Sequence, residues 1–77
     1  MNLRNYFNKR VRLTDEDMRV TEGVVVMYTP AIDNPDNIDS IALKVDDTDR
    51  VLHEFEESEI TRIEIVSATA QSMAVAV

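Results

Sequence analysis

Seventy-seven residues make one domain, and a chain of that size buries only about 60% of its unfolded surface, so its stability margin is thin. The chain has no cysteine, which excludes disulfides and zinc–thiolate centres. No uninterrupted apolar run exceeds the five residues of Val24–Tyr28, far too few to cross a bilayer. Fifteen acidic against eight basic residues give a net charge of −7, which argues against general nucleic-acid binding.

The opening, MNLRNYFNKR, has no apolar stretch of the kind a secretory signal needs, so a cytoplasmic protein with no membrane association is expected. Leu3, Tyr6 and Phe7 stand at i, i+3 and i+4, which predicts one short N-terminal helical turn, with Asn2 as its cap. In KRVRLT the residues alternate, Val11 and Leu13 on one face and Arg10 and Arg12 on the other, as in a half-buried strand. DEDM then reads as a turn, although it lacks the usual glycine. A second strand follows over RVTEGVVVMYT. Gly23, the single glycine of the chain, marks a bulge, a bend or a close backbone approach. The unbroken apolar run after it predicts a strand covered on both faces.

Residues 29–40, TPAIDNPDNIDS, hold both prolines. Pro30 and Pro35 stiffen the segment, and Asp33, Asn34, Asp36 and Asn37 suit Asx-type turns. Two readings stand side by side: a rigid turn, or a projecting recognition loop with Tyr28 at its base. Beyond it, IALKV predicts a strand with Ile41, Leu43 and Val45 on one face, and DDTDR a turn. VLHEFEE predicts a strand with Val51, His53 and Phe55 on one side, SEI a tight turn, and TRIEIV a last strand with Ile63 and Ile65 inward. The expected plan is all-β: a short N-terminal helix and five strands closed into a small barrel over residues 1–66, with Phe7 and Phe55 in its core. The tail 67–77, SATAQSMAVAV, has no readable structure.

Catalytic and metal chemistry finds little to work with. A calcium loop counted from Asp33 puts Pro35 and Ile38 where an oxygen ligand and a glycine belong, and one counted from Asp47 puts Val51 at a ligand position. His53, the single histidine, reads as a structural strand residue, since transition-metal sites need clustered His and Cys. Ser58 has only carboxylates around it, and one glycine cannot make a phosphate-cradling loop. No cofactor, small-molecule substrate or enzymatic activity is expected.

The order of parts resembles the Sm-like (LSM) family of small β-barrels, and more narrowly the short bacterial LSM-domain proteins of unassigned role. The resemblance runs from residue 3 to about 66. It is carried by the N-terminal helical turn, by KRVRLTDEDMRVTEGVVVMY with Gly23, by SIALKV, and by FEESEITRIEIV with its tight ESEI turn. It implies a strongly bent SH3-like barrel, rings formed by pairing edge strands between subunits, and RNA bound on one face. The family's RNA contacts come from an Asp…Asn motif after the second strand and an Arg/Lys-Gly pair before the last. This sequence departs at both: Thr29 stands at the Asp position, Ser40 or Asn37 at the Asn position, and Glu56-Glu57 in place of the cationic pair. A carboxylate beside phosphate reverses the electrostatics.

The reading favoured by the residues is therefore a non-catalytic binding or assembly module, self-associating or joined to a protein partner. An RNA-binding ring is the alternative. Residues 1–13 hold Arg4, Lys9, Arg10 and Arg12 and no acid, while the rest of the chain holds four bases and fifteen acids. That asymmetry suggests head-to-tail contact between subunits. Arg10, Arg12, Ile63 and Ile65 are the candidate assembly edge. Tyr28, Asp33, Asn34, Asp36 and Asn37 are the candidate binding loop, and Gly23 is the candidate structural residue.

Overall fold

The five segments read as strands become, among the described residues, five antiparallel strands in one sheet. The structure, a computed structural model, describes residues 1–45 and 51–66. The strands are β1 (Arg10–Asp15), β2 (Val20–Thr29), β3 (Ser40–Lys44), β4 (His53–Glu56) and β5 (Ile60–Ile65), hydrogen-bonded in the order β4-β3-β2-β1-β5. Among the described residues, helical structure is confined to 3-10 turns at Leu3–Tyr6, Ala31–Asp33 and Glu57–Glu59, and the fold is all-β. The Asp46–Asp49 turn and the 67–77 tail of the sequence reading lie outside the described residues.

Register places Val11 beside Gly23 and Ile65, and Leu13 beside Thr21 and Ile63. Leu3, Val11, Leu13, Val25, Ile41, Leu43 and Ile60 form the buried cluster, and Tyr6, Tyr28, Phe55 and Ile63 pack against it. Full burial of each such aliphatic side chain is worth about 1.5–3 kcal/mol. Several expectations change in detail. A 3-10 turn has three residues per turn, so Leu3 and Tyr6 stack on the core, while Phe7, one position further on, is 42% exposed. Asn2 gives the turn its backbone carbonyl, which accepts from Asn5 N–H, and its side chain caps nothing. The second strand is not covered on both faces. Val25 pairs with Leu43 and Met27 with Ala42, so Val26 is an extra, bulged residue, and Val26 and Met27 are both exposed. On β5, Ile63 turns inward half-buried, but Ile65 stays 51% exposed because it sits on the sheet's edge.

The two edge strands, β4 and β5, are consecutive in sequence and lie at opposite ends of the strand order. Four residue steps separate Glu56 from Ile60 and span at most about 14 Å, whereas the edges of a flat five-stranded sheet lie about 19 Å apart. The sheet is therefore curled at this end. The Glu57–Glu59 turn is pinned on both sides: Glu57 N–H donates to the Asp39 carbonyl, and Glu16 N–H donates to the Glu59 carbonyl. Among the described residues, β4 and β5 do not pair with each other.

Candidate functional site

Two places collect the sequence's candidate residues: the loop between β2 and β3, and the edge formed by β5. In the loop, Pro30 opens a 3-10 turn at Ala31–Asp33, and Asn37 adopts a left-handed backbone with φ 58°, which asparagine tolerates. Asn34 is turned inward. Its amide donates to the Ile38 carbonyl at 2.6 Å, to Ser40 Oγ at 3.1 Å and, at 3.4 Å, to the Thr29 carbonyl. Asp39 holds the other side: Oδ1 accepts from Ala31 N–H at 2.7 Å and Oδ2 from the Tyr28 hydroxyl at 3.0 Å. Burial, and then this bond to Asp39, push the Tyr28 phenol above its ordinary pKa. The Arg4 guanidinium lies over the Tyr28 ring, 5.9 Å from its centre.

Of the five loop candidates, Tyr28 and Asn34 are thus consumed by the loop's own bonds. Asp33, Asp36 and Asn37 face solvent. The loop is a hydrogen-bonded turn on which Ile32 stands 85% exposed. Asp39 carries no signal in the sequence, and Ser40 and Glu56 stand there only as departures from the Sm-like RNA motif. Ser40 is buried and links Asn34 to Glu54. Glu56 meets Asp36, and the hydrogen bond between these carboxyls raises the Glu56 pKa, with desolvation and the charges of Asp36, Glu59 and Glu54 adding to it. Glu56 and Glu59 also close a capping box around the last 3-10 turn. No local pattern betrays Asp39, because its partner Ala31 lies eight residues away across a loop whose path the sequence does not give.

The basic pair of the candidate edge lies elsewhere. Arg10 and Arg12 stand on β1, which has a strand on either side, so they are not edge residues. Both reach Glu22 of β2, Arg10 Nε at 3.2 Å and Arg12 at 3.3 Å. Arg12 also has Glu64 as its neighbour on β5. Ile63 and Ile65 do belong to an edge strand. Gly23 packs where no side chain fits: a Cβ there would stand 2.6 Å from the Lys44 carbonyl oxygen.

Among the described residues no three His, Cys, Asp or Glu side chains are grouped to hold a metal, and no helix is long and apolar enough to cross a membrane. His53 is exposed on β4. No family model, curated protein or solved structure matches the chain.

Proposed function

We propose that this protein is a non-catalytic assembly module of Sm-like type whose copies join through their sheet edges. The observation that carries the reading is the pair of edge strands, β4 and β5, each with a strand on one side only among the described residues, together with Ile65 half-exposed on the core-facing side of β5. An edge strand presents unpaired backbone donors and acceptors and is a template for another strand. Joining β5 of one copy to β4 of the next continues the sheet and covers Ile65. The parts that carry the Sm-like resemblance support it: the N-terminal turn packed on β2, five antiparallel strands, the close approach at Gly23, and the 3-10 connection between the last two strands. The carboxylates of Glu54, Glu56 and Glu57, with Asp36 beside them, weigh against phosphate binding at the family's usual place.

Light-scattering mass tests this. The wild type is expected to exceed the 8.8 kDa monomer and to grow with concentration. Ile65→Glu is expected to lower the mass at unchanged far-UV circular dichroism. A wild type that stays monomeric at high concentration removes the reading.

A further inference from the structure

The structure pairs two surface features that the edge contact does not use. One is the Ile32 loop. Ile32 is the most exposed large apolar side chain among the described residues, and its backbone is fixed in advance by the Asp39–Ala31 bond and the three Asn34 contacts. Asp33 and Asp36 flank it, both exposed, and neither meets a cation among the described residues. The other feature is the N-terminal segment. Phe7 is 42% exposed and stands in sequence between Arg4 and Lys9, also exposed. Arg10 and Arg12 are spent on Glu22, so Arg4 and Lys9 carry the accessible part of the N-terminal positive charge.

An acidic rim around an aliphatic knob and a basic rim around an aromatic knob are complementary. The basic segment also reaches the base of the loop through Arg4. Arg4 lies over Tyr28, Tyr28 bonds to Asp39, and Asp39 bonds to the first residue of the Ile32 turn. Each copy therefore carries both complementary features, as a two-fold, self-complementary contact requires.

We infer that the Ile32 loop of one copy seats against the Phe7 segment of a second copy, and reciprocally, through a contact separate from the β4 and β5 edges. The rigid loop contributes by lowering the ordering cost of association. Charge sets orientation and on-rate, since exposed ion pairs supply only about 0–1 kcal/mol each.

Cysteine cross-linking tests it, because the chain has no cysteine of its own. Phe7→Cys and Ile32→Cys proteins are mixed under mild oxidation. A disulfide needs Cα atoms within about 7 Å, so the expected result is a mixed dimer several-fold above that formed by Phe7→Cys with Met18→Cys, an equally accessible control. Reversing Arg4 and Lys9 to Glu on the Phe7→Cys protein is expected to lower the mixed dimer several-fold. Reversing Asp33 and Asp36 to Lys on the Ile32→Cys partner of that protein is expected to restore it. The same mixture is repeated with Ile65→Glu in both proteins. Persistence of the mixed dimer there keeps this contact even where the edge reading fails. A yield no higher than the Met18 control, or loss of the product with Ile65→Glu, overturns the inference.

Discussion

Gly23 lies against the backbone of Lys44, so closely that a Cβ at position 23 would stand 2.6 Å from the Lys44 carbonyl oxygen and 3.1 Å from Val45 Cα. Both obstacles are main chain, Lys44 at the end of β3 and Val45 just beyond it, and neither swings aside as a side-chain tip does. The reason for glycine here is space alone, because its φ is not positive. Even Gly23→Ala is expected to cost about 1–3 kcal/mol, in the range of core overpacking. In a domain of this size that is a fall in Tm of at least about 4 °C. Gly23→Val is expected to do worse. A melting curve of Gly23→Ala that overlays the wild type would contradict the close approach.

Of the adjacent pair Asp33 and Asn34, it is Asn34 that anchors the β2–β3 loop. Asn34→Ala removes the donor to the Ile38 carbonyl and one of two partners of the buried Ser40 hydroxyl, whose bond to Glu54 remains, and a buried acceptor left without its donor costs about 1–3 kcal/mol. Asp33→Ala, at an exposed position, is expected to stay within about 0.5 kcal/mol of the wild type. Urea unfolding of the two variants decides the matter. Equal midpoints would mean that Asn34 is not the loop's anchor.

What the sequence made legible follows from what each signal measures. Alternation in RVRL and IAL reports a two-residue period, and those residues came out as strands with Val11, Leu13, Ile41 and Leu43 inward. Over Val24–Tyr28 the run is unbroken and carries no alternation, and the burial of both faces expected from it fails because Val26 bulges and both Val26 and Met27 lie exposed. Phe7 was placed inside on α-helical spacing, and the turn is 3-10. Ile65 has the right parity for the core, but parity does not say whether a strand has a neighbour on both sides. At the candidate sites the loop's aspartates and asparagines were visible as turn formers. Which of them face inward was not, because the choice between Asn34 and Asp33 is made by carbonyls at Thr29 and Ile38 that only the folded path brings together. Arg10 and Arg12 were taken for an edge because charge can be counted in sequence, whereas strand order cannot.

Met18 occupies the position in the β1–β2 turn where glycine was missed. It has φ 66°, its N–H donates to the Asp15 carbonyl, and the turn is held by Asp15 Oδ1, which accepts from the N–H groups of Asp17 and Arg19. A left-handed backbone costs a residue with a Cβ about 1–2 kcal/mol, and glycine gives back about 0.4–1 kcal/mol through the freedom of the unfolded chain. Met18→Gly is therefore expected to stabilise the protein by about 0.5–1 kcal/mol. A rise in the denaturation midpoint at unchanged m-value is the expected reading. A fall would show that the exposed Met18 side chain makes a contact worth more than the strain.

Glu56 ties stability to pH. Its pKa in the folded protein is raised, first by the hydrogen bond to Asp36, then by desolvation and by the charges of Asp36, Glu59 and Glu54. A raised carboxyl pKa means that the folded state holds the proton more tightly than the unfolded chain does. Ionised Glu56 is then a cost to the fold, complete above its folded pKa and relieved as pH falls through that value toward the ordinary glutamate range. Glu56→Gln removes the charge and keeps an oxygen for the capping bond from the last 3-10 turn. Its stability relative to the wild type is expected to be highest at neutral pH and to converge with it in acid. Asp36→Asn is expected to give the same trend, and the double variant less than the sum, because both act on one contact. Thermal melts across the acid range provide the check. A Glu56→Gln advantage that persists unchanged below the ordinary glutamate pKa would mean that its origin is packing and not the shared proton.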